Sequence, residues 1–283
     1  MASFTNFATL SYNGGTTNSN IVTGEILEAL TAVKTAVSAN YSAGDRITYA
    51  LSLVNTGTAA ITDYTVTDNL GGYTVGANTV YPLAYNAGTV RYYINGVLQA
   101  APTVTAGPPL TVTGLTVPAG GSAVLIYETT ATPVAPLATG SSITNTATIT
   151  GGGLTTPITA QATVETANSA DLTISKALSP TTVTENGQIT YTFVISNTGN
   201  TEATATGNVV VTDTFAPILR NIAVTYNGTA WTEGTNYTYS AATGVFTTLA
   251  GQITVPAATF TQNTDGTFTV TPGTATLVIT GTV

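Results

Sequence analysis

"LTISKALSPTTVTENGQITYTFVISNTG", from Leu172 to Gly199, decides the fold, because an earlier stretch has the same pattern: "TAVKTAVSANYSAGDRITYALSLVNTG", from Thr31 to Gly57. Lys34 matches Lys176, Ile47-Thr48-Tyr49 matches Ile189-Thr190-Tyr191, and Asn55-Thr56-Gly57 matches Asn197-Thr198-Gly199. The Lys-to-Asn spacing is the same in both copies (34 to 55, 176 to 197), and Val66-Thr67-Asp68 recurs farther on as Val211-Thr212-Asp213. Similarity at a fixed spacing marks one structural unit used twice. Inside it, "ITYALSLVN" and "ITYTFVISN" alternate apolar and polar residues, rich in β-branched and aromatic side chains, then stop at Asn-Thr-Gly. That is the pattern of a half-buried strand ending in a turn. "YINGVLQ" and "TYNGTAW" set Asn-Gly between strand-like flanks, the signal of a type I′ hairpin. The expectation is an all-β chain of two tandem immunoglobulin-like β-sandwiches.

The two copies differ at their ends. "VPAGGSAVLIYETTATP" near the end of copy one matches "VTPGTATLVITGTV" at the end of copy two, but copy one continues into "LATGSSITNTATITGGG", one further strand. Copy two has nothing after Val283, so a second domain lacking its final strand is expected. A strand of the same type opens the chain: "SFTNFATLSYNGG" from Ser3 shares Thr-Asn-x-Ala-Thr with "SITNTATITGGG" from Ser142, and both finish in glycine. Residues 1–24 then form an N-terminal donor strand and linker, 25–165 a complete first domain, and 166–283 the open second one. The donor strand points Phe4, Asn6, Ala8 and Leu10 the same way. An open sandwich exposes an apolar groove and unpaired backbone groups. An extended segment from another chain satisfies both by strand addition. Given head to tail, such a contact does not close on itself and yields a fibre, a homopolymer of this chain. Pairing of the segment with its own chain's second domain, or decoration of domain one, remains open at this level.

Composition excludes more than it selects. Five Lys and Arg against 13 Asp and Glu give a net charge of -8, with no basic tract to attract nucleic acid. Neither Cys nor His occurs, which removes thiol nucleophiles, disulfides, thiolate and imidazole metal sites and the commonest general base. No cofactor and no metal are expected. Asp63, Asp68 and Asp265 lack the ligand density of a calcium loop and read as turn formers. Asn227 and Asn236 fit the glycosylation pattern, which chance supplies readily in a chain rich in Asn and Thr. Trp231 and the Tyr residues read as packing. No stretch reaches the length of a membrane span, and the first residues lack the basic start and apolar run of a secretory leader. Either a leader has been removed or the protein reaches its destination without one.

The two lysines of the chain, Lys34 and Lys176, fall at the same place in both repeats. By strand parity Lys176 shares a face with Leu172 and Ile174, a face expected to be buried, where an amine is costly unless paired or neutral. "DLTISKALSP", "GQITYTFVISNTG" and "VVVTDTFAP" resemble the repeat known as domain of unknown function 11, found in bacterial surface proteins. The chain is also similar to the pilin and adhesin domains that form spontaneous Lys-Asn isopeptide bonds. The resemblance implies a Lys on the first strand, an Asn on the last and a buried acid between them. In domain one these are Lys34, Asn145 and Asp68. In domain two Lys176 and Asp213 would await Asn6 of a neighbouring chain. Glu128 is a rival acid in domain one, and Asn55 and Asn197 are rival partners that read as turn formers. The function expected is a structural subunit of a bacterial cell-surface or spore appendage, extracellular and not an enzyme apart from such autocatalysis. An adhesin or carbohydrate-binding stalk module is the alternative.

Overall fold

The computed structural model describes residues 2–26 and 29–283. The chain divides into two compact units, Met1–Ala135 with Ser142–Glu165 and Pro136–Ser141 with Thr166–Val283. Almost all regular structure in both is β-strand.

At the N-terminus lie β1 (Ala2–Asn6), β2 (Thr9–Tyr12), β3 (Gly15–Asn18) and β4 (Val22–Ile26). β1 pairs antiparallel with β4 and β2 with β3, so that the segment folds back on itself at Asn13-Gly14. Gly14 takes a φ of 108°, a conformation that side-chain-bearing residues rarely adopt. Residues 11–24, expected as a linker after the donor strand, are therefore part of a hairpin. Among the described residues these four strands pair with no other strand. Phe4, Phe7, Leu10, Tyr12 and Val22 stand exposed on it, Leu10 at 64%. A lone two-stranded hairpin with bare apolar side chains is marginal in water.

The rest of the first unit is built on β5 (Leu30–Ala36), β6 (Arg46–Asn55), β7 (Ile61–Asp68), β8 (Leu110–Val117), β9 (Ser122–Ala131), β10 (Ser142–Gly151) and β11 (Ile158–Thr166). One six-stranded sheet contains the run β9-β6-β5, and the other the run β8-β7-β10-β11 followed by the short strand Asn40–Tyr41. Alternate residues of these strands point inward, so Ile47, Tyr49, Leu51 and Leu53 of β6 meet Tyr64 and Val66 of β7 and Ile149 of β10 in a dry core. Each such side chain contributes about 1.5–3 kcal/mol by leaving water.

The second unit repeats the plan with β12 (Leu172–Ser179), β13 (Gln188–Asn197), β14 (Thr212–Thr214), β15 (Arg220–Tyr226), β16 (Val245–Thr248) and β17 (Gly273–Thr282). Registers agree to the residue: Lys34 lies opposite Leu51 and Ala36 opposite Tyr49, as Lys176 lies opposite Phe193 and Leu178 opposite Tyr191. The second sheet is where the units part. β7 is eight residues long and is flanked by β8 and β10, whereas β14 is three residues long and among the described residues pairs with β16 alone. Val209, Val210 and Val211, the best strand formers in their stretch, lie outside any strand, with Val210 46% exposed. A strand without a second neighbour loses both ladder bonds and cross-strand packing.

The same difference corrects an expectation. Strand parity predicts Lys176 and Ile174 on a buried face. β5 meets this, with Leu30 and Lys34 both buried. β12 does not: all but its first residue are exposed, Ile174 at 55%. In the first unit β10 and β11 extend the opposing sheet beyond β7, and no described strand does so beyond β14.

Candidate functional site

Lys34, Asp68 and Asn145 come together in the first unit. Lys34 Nζ lies 2.5 Å from Asp68 Oδ2, with both side chains out of contact with water. The same oxygen accepts a hydrogen bond from the Tyr127 hydroxyl, and Asp68 Oδ1 accepts one from the Leu70 N–H at 2.9 Å. The ammonium also sits over the Tyr49 ring, 4.8 Å from its centre, and 5.8 Å from that of Tyr127. Burial pushes Lys34 down to about 8, against the pull of Asp68 toward the charged form. Desolvation wins because an ion in a dry core loses more hydration than one partner restores.

Asn145 reaches this cluster from β10. Ala147 lies opposite Asp68 across the β10–β7 ladder, and Asn145, two residues away, shares its face. Asn145 is wholly buried, yet neither its Nδ2 nor its Oδ1 has a hydrogen-bond partner, and the Tyr49 hydroxyl has none either. Burial raises the Tyr49 and Tyr127 phenols and the nearby Asp68 charge adds to the effect, while the Asn145 carboxamide opposes it in both, which sets it beside both rings. A buried carboxamide left without a partner costs about 1–3 kcal/mol, and folded proteins rarely tolerate one without a use for it.

In the second unit Lys176 and Asp213 also form an ion pair, below the rings of Tyr191, Phe193 and Phe215 at 4.6, 5.4 and 5.5 Å. This pair is open: the Lys176 side chain is 40% exposed and Asp213 is partly so. Asp213 Oδ1 accepts the Thr214 N–H at 2.9 Å. Ile279 stands opposite Tyr191 where Tyr127 stands opposite Tyr49, so the second aspartate has no matching phenol. Asn6, the partner expected for Lys176, is exposed on β1 opposite Val22.

The rivals separate cleanly. Glu128 faces outward beside Arg46, 3.5 Å away, so it cannot serve the buried lysine. Asn55 donates to the carbonyls of Ala59 and Pro118 and accepts from the Gly57 N–H; Asn197 does the same with Thr201, Pro256 and Gly199. Both are corner residues with their bonding capacity used. Asp265 accepts from the backbone and hydroxyl of Thr267, a turn, and Trp231 stacks on Tyr226 at 4.8 Å. Tyr127 is the member that sequence reasoning missed. Its signal was parity: it alternates with the outward Glu128 and so faces inward with Leu125.

No family model matches the chain, and no curated protein does. Among solved structures it is similar to BcpA, the major pilin subunit of Bacillus cereus, at 14% identity over 96% of this chain and 73% of that one, with a TM-score of 0.35. It is similar to the pilus backbone protein RrgB of Streptococcus pneumoniae at 14% identity, 86% and 55% coverage and a TM-score of 0.36. The N-terminal domain of the Streptococcus gordonii adhesin Sgo0707 follows at 15% identity, with 47% of this chain on 31% of that one and a TM-score of 0.35. At such scores the likeness carries no residue-by-residue correspondence. The all-β character is read from the chain's own strands.

Proposed function

We propose that the chain is a structural subunit of a bacterial surface or spore appendage, that it polymerises by giving its N-terminal strand to the second unit of a neighbouring copy, and that Lys-Asn isopeptide bonds lock the product. Asn145 carries this reading. A carboxamide buried without a partner beside a dry Lys-Asp pair is a strained arrangement if it is only structural, and a reactant complex if it is chemical.

The chemistry balances with the groups present. Asp68 takes one proton from Lys34, leaving a neutral amine as the nucleophile. The amine Nζ attacks Asn145 Cγ while the Asp68 acid polarises the carboxamide oxygen. The Nζ–Cγ bond forms, the Cγ–Nδ2 bond breaks, and a second Nζ proton passes through the carboxyl to Nδ2, which leaves as ammonia. No oxidant, metal or cofactor enters. In the second unit the same roles fall to Lys176, Asp213 and the incoming Asn6, and desolvation there is completed by the incoming strand.

Two measurements test it. The mass of the intact denatured monomer is expected to fall about 17 Da below the sequence mass for the ammonia lost in the first unit; a full mass overturns that bond. Fibres boiled in denaturant are expected to run as a ladder of covalent oligomers, and collapse to monomer overturns the link between subunits.

The pH dependence has a definite sign. The reactive state, neutral amine with protonated acid, holds as many protons as the ion pair from which it forms. Its share is therefore flat with pH until the pair loses a proton, which for Lys34 lies at about 8. Unreacted chain released from denaturant is expected to condense at a constant rate between about pH 6 and 8 and about tenfold more slowly per unit above that. A rate that keeps rising above pH 8 would show an amine acting without the acid.

A further inference from the structure

We propose that the donated element is not a single strand but the whole N-terminal hairpin, β1 to β4, which enters the second unit of a second copy in the place and register that β10 and β11 hold in the first unit. This rests on the strand-donation reading above and extends it to the partner strand and to a residue-level register.

Over β1 and β4 the hairpin matches the β10–β11 pair in register; beyond Asn6 it is offset by one residue, Thr9 lying opposite Asn18 where the match with Thr148 and Thr159 would set Ser19. Ser3 lies opposite Glu25 as Ser142 lies opposite Glu165, Thr5 opposite Thr23 as Thr144 opposite Thr163, and Asn6 opposite Val22 as Asn145 opposite Ala162. Matching both strands and their register is a stronger condition than matching one strand, because a slip of one residue turns every side chain to the other face. The counterparts of Phe4, Asn6, Ala8 and Leu10 are Ile143, Asn145, Ala147 and Ile149, and all four are buried. On the free hairpin Phe4, Asn6, Ala8 and Leu10 are exposed.

The second unit presents the complementary gap. A groove of about 160 Å³ runs between β12 and the stretch Val209 to Val211, lined by Leu172, Ile174, Ile195, Val209, Val210 and Val211. In the first unit Ala147, Thr148 and Ile149 lie opposite Asp68, Thr67 and Val66. The repeat carries this register to Ala8 opposite Asp213, Thr9 opposite Thr212 and Leu10 opposite Val211. Leu10 then fills the apolar groove and Asn6 arrives at Lys176. Residues 2–24 of the donor carry no charge, which suits a groove lined by uncharged residues. The second strand of the hairpin has its own contact to make. In the first unit the Glu165 N–H bonds the Ala39 carbonyl at the loop after β5, and the repeat places Glu25 at Thr181 in the same way.

The chain has no cysteine, so introduced pairs read the register directly. Single variants are mixed in an Asn6→Ala background, where any dimer that survives boiling without reductant is a disulfide. Thr9→Cys mixed with Thr212→Cys, and Glu25→Cys mixed with Thr181→Cys, are both expected to give heterodimers. Each should exceed the shifted pair Thr9→Cys with Val210→Cys by about tenfold, as register demands. Coupling of 9 to 212 with none of 25 to 181 overturns the hairpin and leaves single-strand donation standing. Failure of both pairs overturns donation itself. In double-cysteine chains, closure within one chain rather than between copies overturns the assignment to a second copy. Fibres seen by electron microscopy for each single variant show that it folds.

Discussion

Asn145→Val is expected to destabilise the first unit by about 4–5 kcal/mol in denaturant unfolding. The proposed bond to Lys34 would close a loop of about 110 residues, and a cross-link of that span stabilises by roughly 4.7 kcal/mol in the chain-entropy account. Valine keeps the strand, since it has high β-propensity and packs beside the Tyr49 and Tyr127 rings. The variant also leaves the Lys34–Asp68 pair intact, so no charge is stranded. The sign makes the test decisive. Without a cross-link, valine removes a buried carboxamide that has no partner, and the same substitution stabilises by about 1–3 kcal/mol. A gain in stability therefore overturns the intrachain bond, and a loss of the expected size supports it together with return of the full mass.

Removal of residues 2–12 is expected to abolish fibres altogether. β14 has one described neighbour, Val209 and Val210 beside it lie outside any strand, and Ile174 and Val210 are half bare, so the second unit offers an unfilled edge. Such an edge pairs with whatever strand fits it. The segment proposed to fill it is the one deleted. Electron microscopy of the purified variant checks this, and fibres that persist overturn assembly by strand donation. Asn6→Ala separates docking from locking. It keeps Phe4, Ala8 and Leu10, so fibres are expected to form, but they should dissociate to monomer on boiling because Lys176 has no carboxamide to attack.

Much of the fold was legible in the sequence because its signals are local. Period-two alternation marked β6 and β13, and the shared spacing of Lys and Asn carried the same register into both units. Asn95-Gly96 and Asn227-Gly228 make the expected hairpin turns with φ of 47° and 80°, and 48° and 79°. Part of the candidate site was legible by residue type: Lys34 and Asp68 stand at matching places in the repeat and Asn145 was named from the resemblance; Lys34 pairs with Asp68 and Asn145 is buried on the same sheet face as Ala147, opposite Asp68.

What the sequence could not show is where burial differs between like residues. Lys34 and Lys176 occupy equivalent positions on equivalent strands, yet one is dry and the other 40% exposed. Periodicity assigns a side chain to a face, but the strands packed against that face decide whether it is covered, and those come from far along the chain. The same holds for Tyr127, whose hydroxyl reaches Asp68 from the opposite sheet. It holds too for residues 11–24, whose turn residues and small polar side chains read as a linker until cross-strand pairing made them half of a hairpin. By itself the sequence determined the repeat, the alternation and the chemistry-bearing residues, which follow from local spacing. The tertiary structure alone decided which lysine is desolvated, which carboxamide lies unpartnered and which edge stands open, because each depends on long-range pairing.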